Sequence, residues 1–340
     1  MTIKDLAAMT GYAVGTVSRA LNDHPNVSDK ARKAILQAAR EQGFQLNVNA
    51  KQLKQTSSNT ILVMVKGTGN ELFGEMLEYI QPIIAKTRYQ LVVDYLDEDG
   101  NEVTRAIQLC REKKPVGILF LGGHARNFMA DFDKVDIPCV LATSDASGLN
   151  FANLSSVTTD DRQAARSAID TLIDCGHRNI AVIGGDLVNS NVSRLRYEGC
   201  MVSFREHGIP FEPDRDYQSV RFSYEGGYHA TKALLENHRD YTAIFAVSDV
   251  MTIGAIRALW EADKRVPEDI SIIGLDGLAL GRYLIPQLST VKQDFKTIAL
   301  RSIQILLDCM EKDLPPRHET VPFLIQKRES IRSISETKET

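Results

Sequence analysis

No apolar run in this sequence approaches the roughly 20 residues needed to span a bilayer, so no membrane-spanning helix is expected. Residues Met1 to Thr10 read as the start of an amphipathic helix, without the basic-then-apolar order of a secretory signal. The five cysteines (Cys110, Cys139, Cys175, Cys200 and Cys309) stand far apart and form no C-x-x-C pair. That excludes a disulfide framework or a zinc site and fits reduced core thiols in a cytoplasmic protein. Neither G-x-x-x-x-G-K-[ST] nor a G-x-G-x-x-G following a strand occurs, and the pairs Gly122-Gly123 and Gly184-Gly185 read as strand ends. The seven histidines are scattered, G-x-S-x-G and H-E-x-x-H are missing, and His177 in CGHRN reads as a turn residue. Catalytic residues, bound metal and cofactor are therefore not expected.

What is present is an ordinary soluble composition, 43% hydrophobic and 25% charged, in a chain of 340 residues that suits two or three domains. The net charge of −4 hides an asymmetry. Residues 1–60 carry eight Lys/Arg against four acids, and the remainder carries 32 against 40. A basic head on an acidic body fits a polyanion partner for the head alone.

The head reads as three short helices broken at Gly11-Tyr12 and between Asp23 and Val27, the spacing of a helix-turn-helix. Thr2 and Asp5 have capping-box spacing, with Ile3, Leu6 and Ala7 facing inward. A second helix from about Ala13 to Asn22 turns Val17, Ala20 and Leu21 inward. Ser28 caps a third, whose apolar face is Ala31, Ile35, Leu36 and Ala39. Outward on the second helix stand Val14, Gly15, Thr16, Ser18, Arg19 and Asn22, with Asn26 just beyond. Arg19 can fork onto a guanine, Asn22 can reach a base or phosphate, and Thr16 and Ser18 suit phosphates. Val14 and Gly15 offer only methyl contact or close backbone approach.

GYAVGTVSRALN, NVSDKARKAILQAAREQGF and the run Asn47, Ala50, Leu53 together resemble the LacI/GalR family of bacterial transcription regulators. The resemblance implies a hinge helix after the third helix, with Leu53 as the wedge between base pairs of a kinked minor groove and Lys51 beside the phosphates. Ala13 stands where the family usually has a serine N-cap, at a cost of about 1 kcal/mol of helix stability. Leu46 stands in place of a common proline.

Beyond the polar linker QTSSNT, the runs ILVMV, QLVVDY, VGILFLG, PCVLA, NIAVIGG, AIFAVS and DISIIGLDG alternate with amphipathic stretches. Such runs mark parallel strands buried on both faces. The expected fold is a small all-α helix-turn-helix head plus an α/β two-lobed body of doubly wound parallel sheets, periplasmic-binding-protein-like by resemblance. The expected divisions are a head over 1–46, a hinge and linker over 47–60, and a body over 61–330. Its lobes would comprise 61–158 with 291–318 and 159–290 with 319–330, followed by a flexible tail over 331–340. The resemblance extends through GHRNIAVIGG, the R-x-x-G of Arg196 to Gly199, SDVMTIGAIRAL and VPEDISIIGLDG.

From the resemblance follows an effector site of Asn70, Phe73, Thr143, Arg196, Phe222, Ser248, Asp249 and Asp276. Phe73 and Phe222 would stack on a sugar ring, while Arg196, Asp249 and Asp276 take its hydroxyls. Plainer readings stand beside these: Asp249 as a helix cap and Phe222 as core. The expected partners are a pseudo-palindromic double-stranded DNA operator, a small-molecule effector, most simply a carbohydrate, and a second copy of the chain in a homodimer. A nucleobase or nucleoside, or a protein co-regulator, is the alternative effector. A phosphorylated ligand would require Arg194 or Arg126 beside Arg196. A glycosidase-like carboxylate pair and a sugar-transport component are the readings without DNA.

Overall fold

The computed structural model describes residues 2–21, 26–42, 58–237 and 239–334. By internal contacts the chain divides into Met1–Thr56 and Ser57–Thr340, each taken here by itself.

In the first unit, α1 (Ile3–Thr10), α2 (Val14–Leu21) and α3 (Asp29–Glu41) enclose a core of Leu6, Ala7, Val17, Ala20, Val27, Ala31, Ile35 and Ala39. The capping box forms: Asp5 N–H donates to Thr2 Oγ1 at 3.3 Å and Thr2 N–H to Asp5 Oδ2 at 2.7 Å. Gly11 ends α1 with φ 71°, a left-handed turn that a side chain would strain, and its N–H donates to Ala7 O. At the start of α2, the Ala13 carbonyl accepts from Thr16 and Val17. Ile3 and Leu36, expected inside, are half-buried at the margins of the core. Asn22, Asn47, Ala50, Lys51 and Leu53 lie outside the described residues.

The second unit opens with β1 (Thr60–Lys66), α4 (Glu71–Ile84), β2 (Gln90–Leu96), α5 (Glu102–Lys113), β3 (Gly117–Leu121), α6 (Ala125–Asp131), β4 (Cys139–Ala142) and β5 (Leu154–Thr158). It continues with α7 (Asp161–Asp174), β6 (Ile180–Gly184), α8 (Asn191–Glu206), α9 (Pro213–Asp216), β7 (Tyr217–Ser219) and α10 (Tyr224–Glu236). Then come β8 (Ala243–Ala246), α11 (Asp249–Glu261), β9 (Ser271–Asp276), β10 (Ser289–Gln293), α12 (Phe295–Lys312), β11 (His318–Thr320) and β12 (Phe323–Gln326).

Among the described residues these strands form two six-stranded sheets with one plan: β2-β1-β3-β4-β5-β11 in lobe one and β7-β6-β8-β9-β10-β12 in lobe two. The ladders are parallel except that β12 runs antiparallel to β10 at an edge. β3, β4, β5, β6, β8 and β9 are buried along their whole length, as continuous apolar runs beneath helices require. In both sheets the strand order reverses between the first and third strands, which opens a crevice at the carboxyl ends. No helix among the described residues is long and apolar enough to cross a membrane.

Five details differ from the sequence reading. Thr60 belongs to β1, paired with Gln90, and is not linker. β10 pairs with β9 through Lys292, so the chain leaves lobe two after Gln293, not at 290. β11 pairs with β5 through Thr320, so the return falls after Thr320 and not at 318; its polar sequence, HET, carries no strand signal. Residues 331–334 are packed, not loose: Ile331 is buried, Arg332 N–H donates to Ser271 Oγ at 3.0 Å and Ile334 N–H to Cys175 O at 2.7 Å. His177 is the buried clamp for this segment rather than a simple turn residue. Its Nδ1 lies 3.0 Å from Thr242 Oγ1 and its Nε2 3.2 Å from Arg332 O. Burial pulls the imidazole pKa down to about 4.

Candidate functional site: a cleft between lobes and a helix-turn-helix

Lobe two fixes the chemistry of one wall. Gly199 lets α8 lie against α7, where a Cβ would meet the Arg162 carbonyl oxygen at 2.1 Å. That close approach brings Arg196, one turn earlier on α8, to Asp161 at the start of α7. Arg196 Nε donates to Asp161 Oδ1 at 2.8 Å and Nη1 donates to the Val247 carbonyl, with Asp276 Oδ1 at 3.9 Å. Arg196 is 4% exposed, so these partners replace the water its guanidinium has lost. Asp276, the last residue of β9, accepts from Ser248 Oγ at 2.7 Å and from Gln293 Nε2 at 2.8 Å. Burial raises the pKa of Asp161 and Asp276 against the opposing pull of Arg196.

Lobe one supplies the other wall. Lys66, at the end of β1, pairs with the fully buried Glu102 at 2.6 Å. Glu102 also accepts from His124 N–H at 2.6 Å and Asn127 Nδ2 at 2.9 Å, which fixes the turn after β3. Thr143, just past β4, has φ 67°, and Asp276 has φ 129°. Two non-glycine residues in the left-handed region, one from each lobe, meet at one cleft; held strain of this kind clusters at ligand sites.

The cleft has a volume of about 850 Å³, counting space open to solvent. Asn70, Phe73, Thr143, Arg196, Phe222 and Asp276 line it. Asn70 also caps α4, its Oδ1 accepting from Leu72 N–H at 3.0 Å. Phe73 is largely embedded in the lobe-one core and Phe222 is packed against that of lobe two, so each presents only part of its ring.

Ser248 and Asp249 are not among the lining residues, which corrects their assignment. Asp249 braces the fold: Oδ2 accepts from Gly277 and Leu278 N–H at 2.8 Å each, and Oδ1 from Thr290 Oγ1 at 2.7 Å. Burial, then the charge of Asp276, pushes its pKa up to about 7. Ser248 acts on Asp276 rather than on the cleft. Arg194 is turned to Glu198 and Asn191, whereas Arg126 lines a smaller pocket that shares Lys66, Glu98, Asp99, His124 and Asn189 with the cleft.

Sequence reasoning missed Lys66, Glu98, Asp99, His124, Asp186 and Gln293, all of which line the cleft. Their signal was positional: each ends a strand or follows one within three residues, where ligands collect in this architecture. The lobes also touch at the rim. Arg221 pairs with Asp97, Phe222 N–H donates to Glu98 Oε2 at 3.1 Å, and Tyr224 Oη donates to Glu71.

In the first unit, the expected DNA-contacting residues share one side of α2. Val14, Gly15 and Arg19 are exposed, and Thr16 and Ser18 half-buried. Arg19 Nε donates to Gly15 O at 3.1 Å, which lays the guanidinium along its own helix. Asn26 is exposed before α3.

A helix-turn-helix joined in one chain to a two-lobed ligand cleft defines a ligand-responsive DNA-binding regulator. Residues 2–47 match the profile of bacterial regulatory proteins, lacI family, and residues 169–331 that of a periplasmic binding protein-like domain. The chain is 32% identical, over 98% of its length and 100% of the relative, to the HTH-type transcriptional regulator MalR of Clostridium butyricum. It is 30% identical to the ribose operon repressor of Haemophilus influenzae, over 90% of this chain and 91% of that protein. A solved structure of the lac repressor dimer bound to operator and the anti-inducer ONPF matches with a TM-score of 0.74 at 25% identity, covering 98% of this chain and 99% of that one. The protein belongs to the LacI family and is a ligand-responsive DNA-binding repressor, not an enzyme.

Proposed function

We propose that this repressor acts in the cytoplasm as a homodimer on a pseudo-palindromic operator, and that its effector is a carbohydrate held between the lobes. The observation that carries the effector reading is the cleft lining. Two partly presented phenyl rings, Phe73 and Phe222, accompany a fixed fork and carboxylate, Arg196 and Asp276, the pairing of apolar faces with hydroxyl partners that a sugar needs. A relative named as a ribose operon repressor and a structural neighbour with bound sucrose support it.

On DNA, Arg19 would release from Gly15 O to reach a base edge while Thr16 and Ser18 contact phosphates and Val14, Gly15 and Asn26 border the groove. Residues 47–59 would supply the hinge and linker, with Asn47, Ala50, Lys51 and Leu53 at the minor groove. Asn22 would extend the reading surface. Sugar binding would change the angle between lobes and so the separation of the two hinges in the dimer, a coupling of typically about 1–3 kcal/mol.

The test is a thermal-shift screen of the full chain against sugars, nucleosides and purines. A ligand at about 100 times its dissociation constant stabilises by about 2.7 kcal/mol. A sugar that raises the melting temperature of the wild type, and not of Arg196→Lys, supports the reading. Stabilisation by a purine alone would replace it with the nucleobase reading.

A further inference from the structure

At the mouth of the cleft, lobe two sends a short arm, residues 221–224, onto lobe one. The arm is shaped by its own bonds: Ser223 N–H donates to Arg221 O at 2.8 Å, Ser223 Oγ accepts from Gly226 N–H at 3.0 Å, and a Cβ at Gly226 would meet the Arg221 carbonyl oxygen at 2.2 Å. Its landing place is equally fixed. The turn after β2 is closed by Gly100 N–H on Asp97 O at 2.9 Å and Asp99 N–H on Asp97 Oδ1 at 3.1 Å, and it presents three successive carboxylates, Asp97, Glu98 and Asp99. Two parts that hold their shape separately lose little freedom on meeting.

Where they meet, lobe two donates and lobe one accepts. Arg221 bonds Asp97, with Asp99 Oδ2 at 3.5 Å and Glu98 Oε2 at 3.8 Å, and Phe222 N–H donates to Glu98 Oε2 at 3.1 Å. Tyr224 Oη donates to Glu71, and Ala279 N–H, elsewhere on the same boundary, donates to Glu75 Oε1 at 3.2 Å. A Cβ at Gly69 of lobe one would stand 3.4 Å from the Phe222 carbonyl oxygen and 3.6 Å from Ser223 Cβ, so the arm lies on lobe one in van der Waals contact. An isolated exposed ion pair contributes little. Here one cation is shared by three carboxylates that repel one another, and among the described residues no other cation pairs with any of them. The same arm carries the Phe222 ring into the cleft, where a Cβ at Gly185 would meet Phe222 Cε2 at 2.7 Å.

We infer that residues 221–224 are a charge-dependent clasp across the cleft mouth: Arg221, gripped by Asp97, Glu98 and Asp99, holds the lobes together and places the Phe222 ring, and the strength of that grip sets the operator affinity of the repressor. Arg221 is a positioning residue. It acts through Phe222 and through the angle between the lobes, and it is not among the residues lining the cleft. The clasp goes beyond the carbohydrate reading and does not depend on it.

The experiment reads the full-length protein, with no effector added, in two ways: hydrogen exchange at the Phe222 amide, and fluorescence anisotropy on an operator selected from random duplexes. In Arg221→Glu the Phe222 amide should exchange about tenfold faster and operator affinity should move by about fivefold or more. Arg221→Glu/Asp97→Arg restores an opposite-charge pair, and both values should return toward wild type. Arg221→Gln removes the charge without reversing it; it should fall between wild type and Arg221→Glu, and it carries the test where the reversal does not fold. Salt raised from about 0.01 to about 1 M, which shortens the screening length from about 30 to about 3 Å, should speed exchange in the wild type more than in Arg221→Gln. Unchanged Phe222 exchange in the folded variants overturns the clasp. Faster exchange with unchanged operator affinity overturns its control of the DNA-binding head. Losses that the charge swap does not recover overturn the pairing of Arg221 with the turn as their cause. Each of these failures leaves the carbohydrate reading standing, because no sugar enters the test.

Discussion

The two lobes share one strand order, and each presents to the cleft one cation backed by a buried carboxylate: Lys66 with Glu102 in lobe one, Arg196 with Asp161 in lobe two. They differ in what surrounds that pair. Arg196 is tied to Asp161 and the Val247 carbonyl and faces Asp276, and a second buried carboxylate, Asp249, holds the loop after β9. Lobe one holds its turn after β3 through Glu102 and sets the neutral His124 ring against the Val188 backbone of lobe two. Topology is thus repeated while the chemistry is divided. Lobe two holds its cation between two buried carboxylates and lobe one holds its cation on a single one, a division set by the residues after the strands and not by the strands themselves.

The sharpest way to break that contrast is Arg196→Ala. It leaves Asp161 and Asp276 buried with their cation gone, at a cost of about 3–5 kcal/mol, read as a lower urea midpoint. Arg196→Lys should fall between, since it keeps the charge and loses the fork. A midpoint unchanged by the alanine variant would mean that lobe two is not built around this residue.

Gly199→Ala tests the packing that brings Arg196 to its site. With the Arg162 carbonyl 2.1 Å from the new methyl, α8 must move off α7, and a loss of about 2–3 kcal/mol is expected in the same measurement. Effector affinity should fall with it.

A third prediction uses His177, the buried clamp of lobe two. Its folded pKa of about 4 lies below the 6.5 of the unfolded chain, so on acidification the unfolded state takes up the proton first. The stability carried by the neutral ring is complete above about pH 6.5 and is lost as the pH falls through about 4, roughly 2 kcal/mol in all. Melting temperatures of wild type and His177→Gln across pH 7 to 4 check it. The wild type should show the steeper decline, and parallel curves would refute the assignment.

The smallest effect separates the two neighbouring carboxylates. Asp276→Asn should weaken effector binding about tenfold, as loss of a charged acceptor lining the cleft. Asp249→Asn should change affinity by less than about threefold, because Asp249 bonds the protein and not the cleft. Equal losses would restore Asp249 to the binding site.

Much of this fold was legible because burial on both faces leaves a mark: VGILFLG and AIFAVS read as parallel strands and are strands. The capping box at Thr2 and Asp5 was equally plain, being a local signal fulfilled locally. β11 was not, because HET forms a strand only by pairing with β5 from a distant part of the chain. Of the expected effector residues, Arg196, signalled by a motif, and Asp276, at a strand end, do line the cleft, while Asp249, one residue from Ser248, bonds the loop at Gly277. Lys66 and His124 gave no motif. Their place depends on two strand ends meeting across a crevice, which adjacency in sequence does not encode.

The central claim is that a sugar in the cleft changes the grip of the helix-turn-helix on DNA. The most direct measurement is fluorescence anisotropy of full-length protein on an operator selected from random duplexes, with and without a saturating sugar identified by the thermal-shift screen. The account predicts a change in operator affinity of about 5- to 150-fold, lost in Arg196→Lys at the same sugar concentration. An operator affinity that the bound sugar leaves unchanged would contradict it.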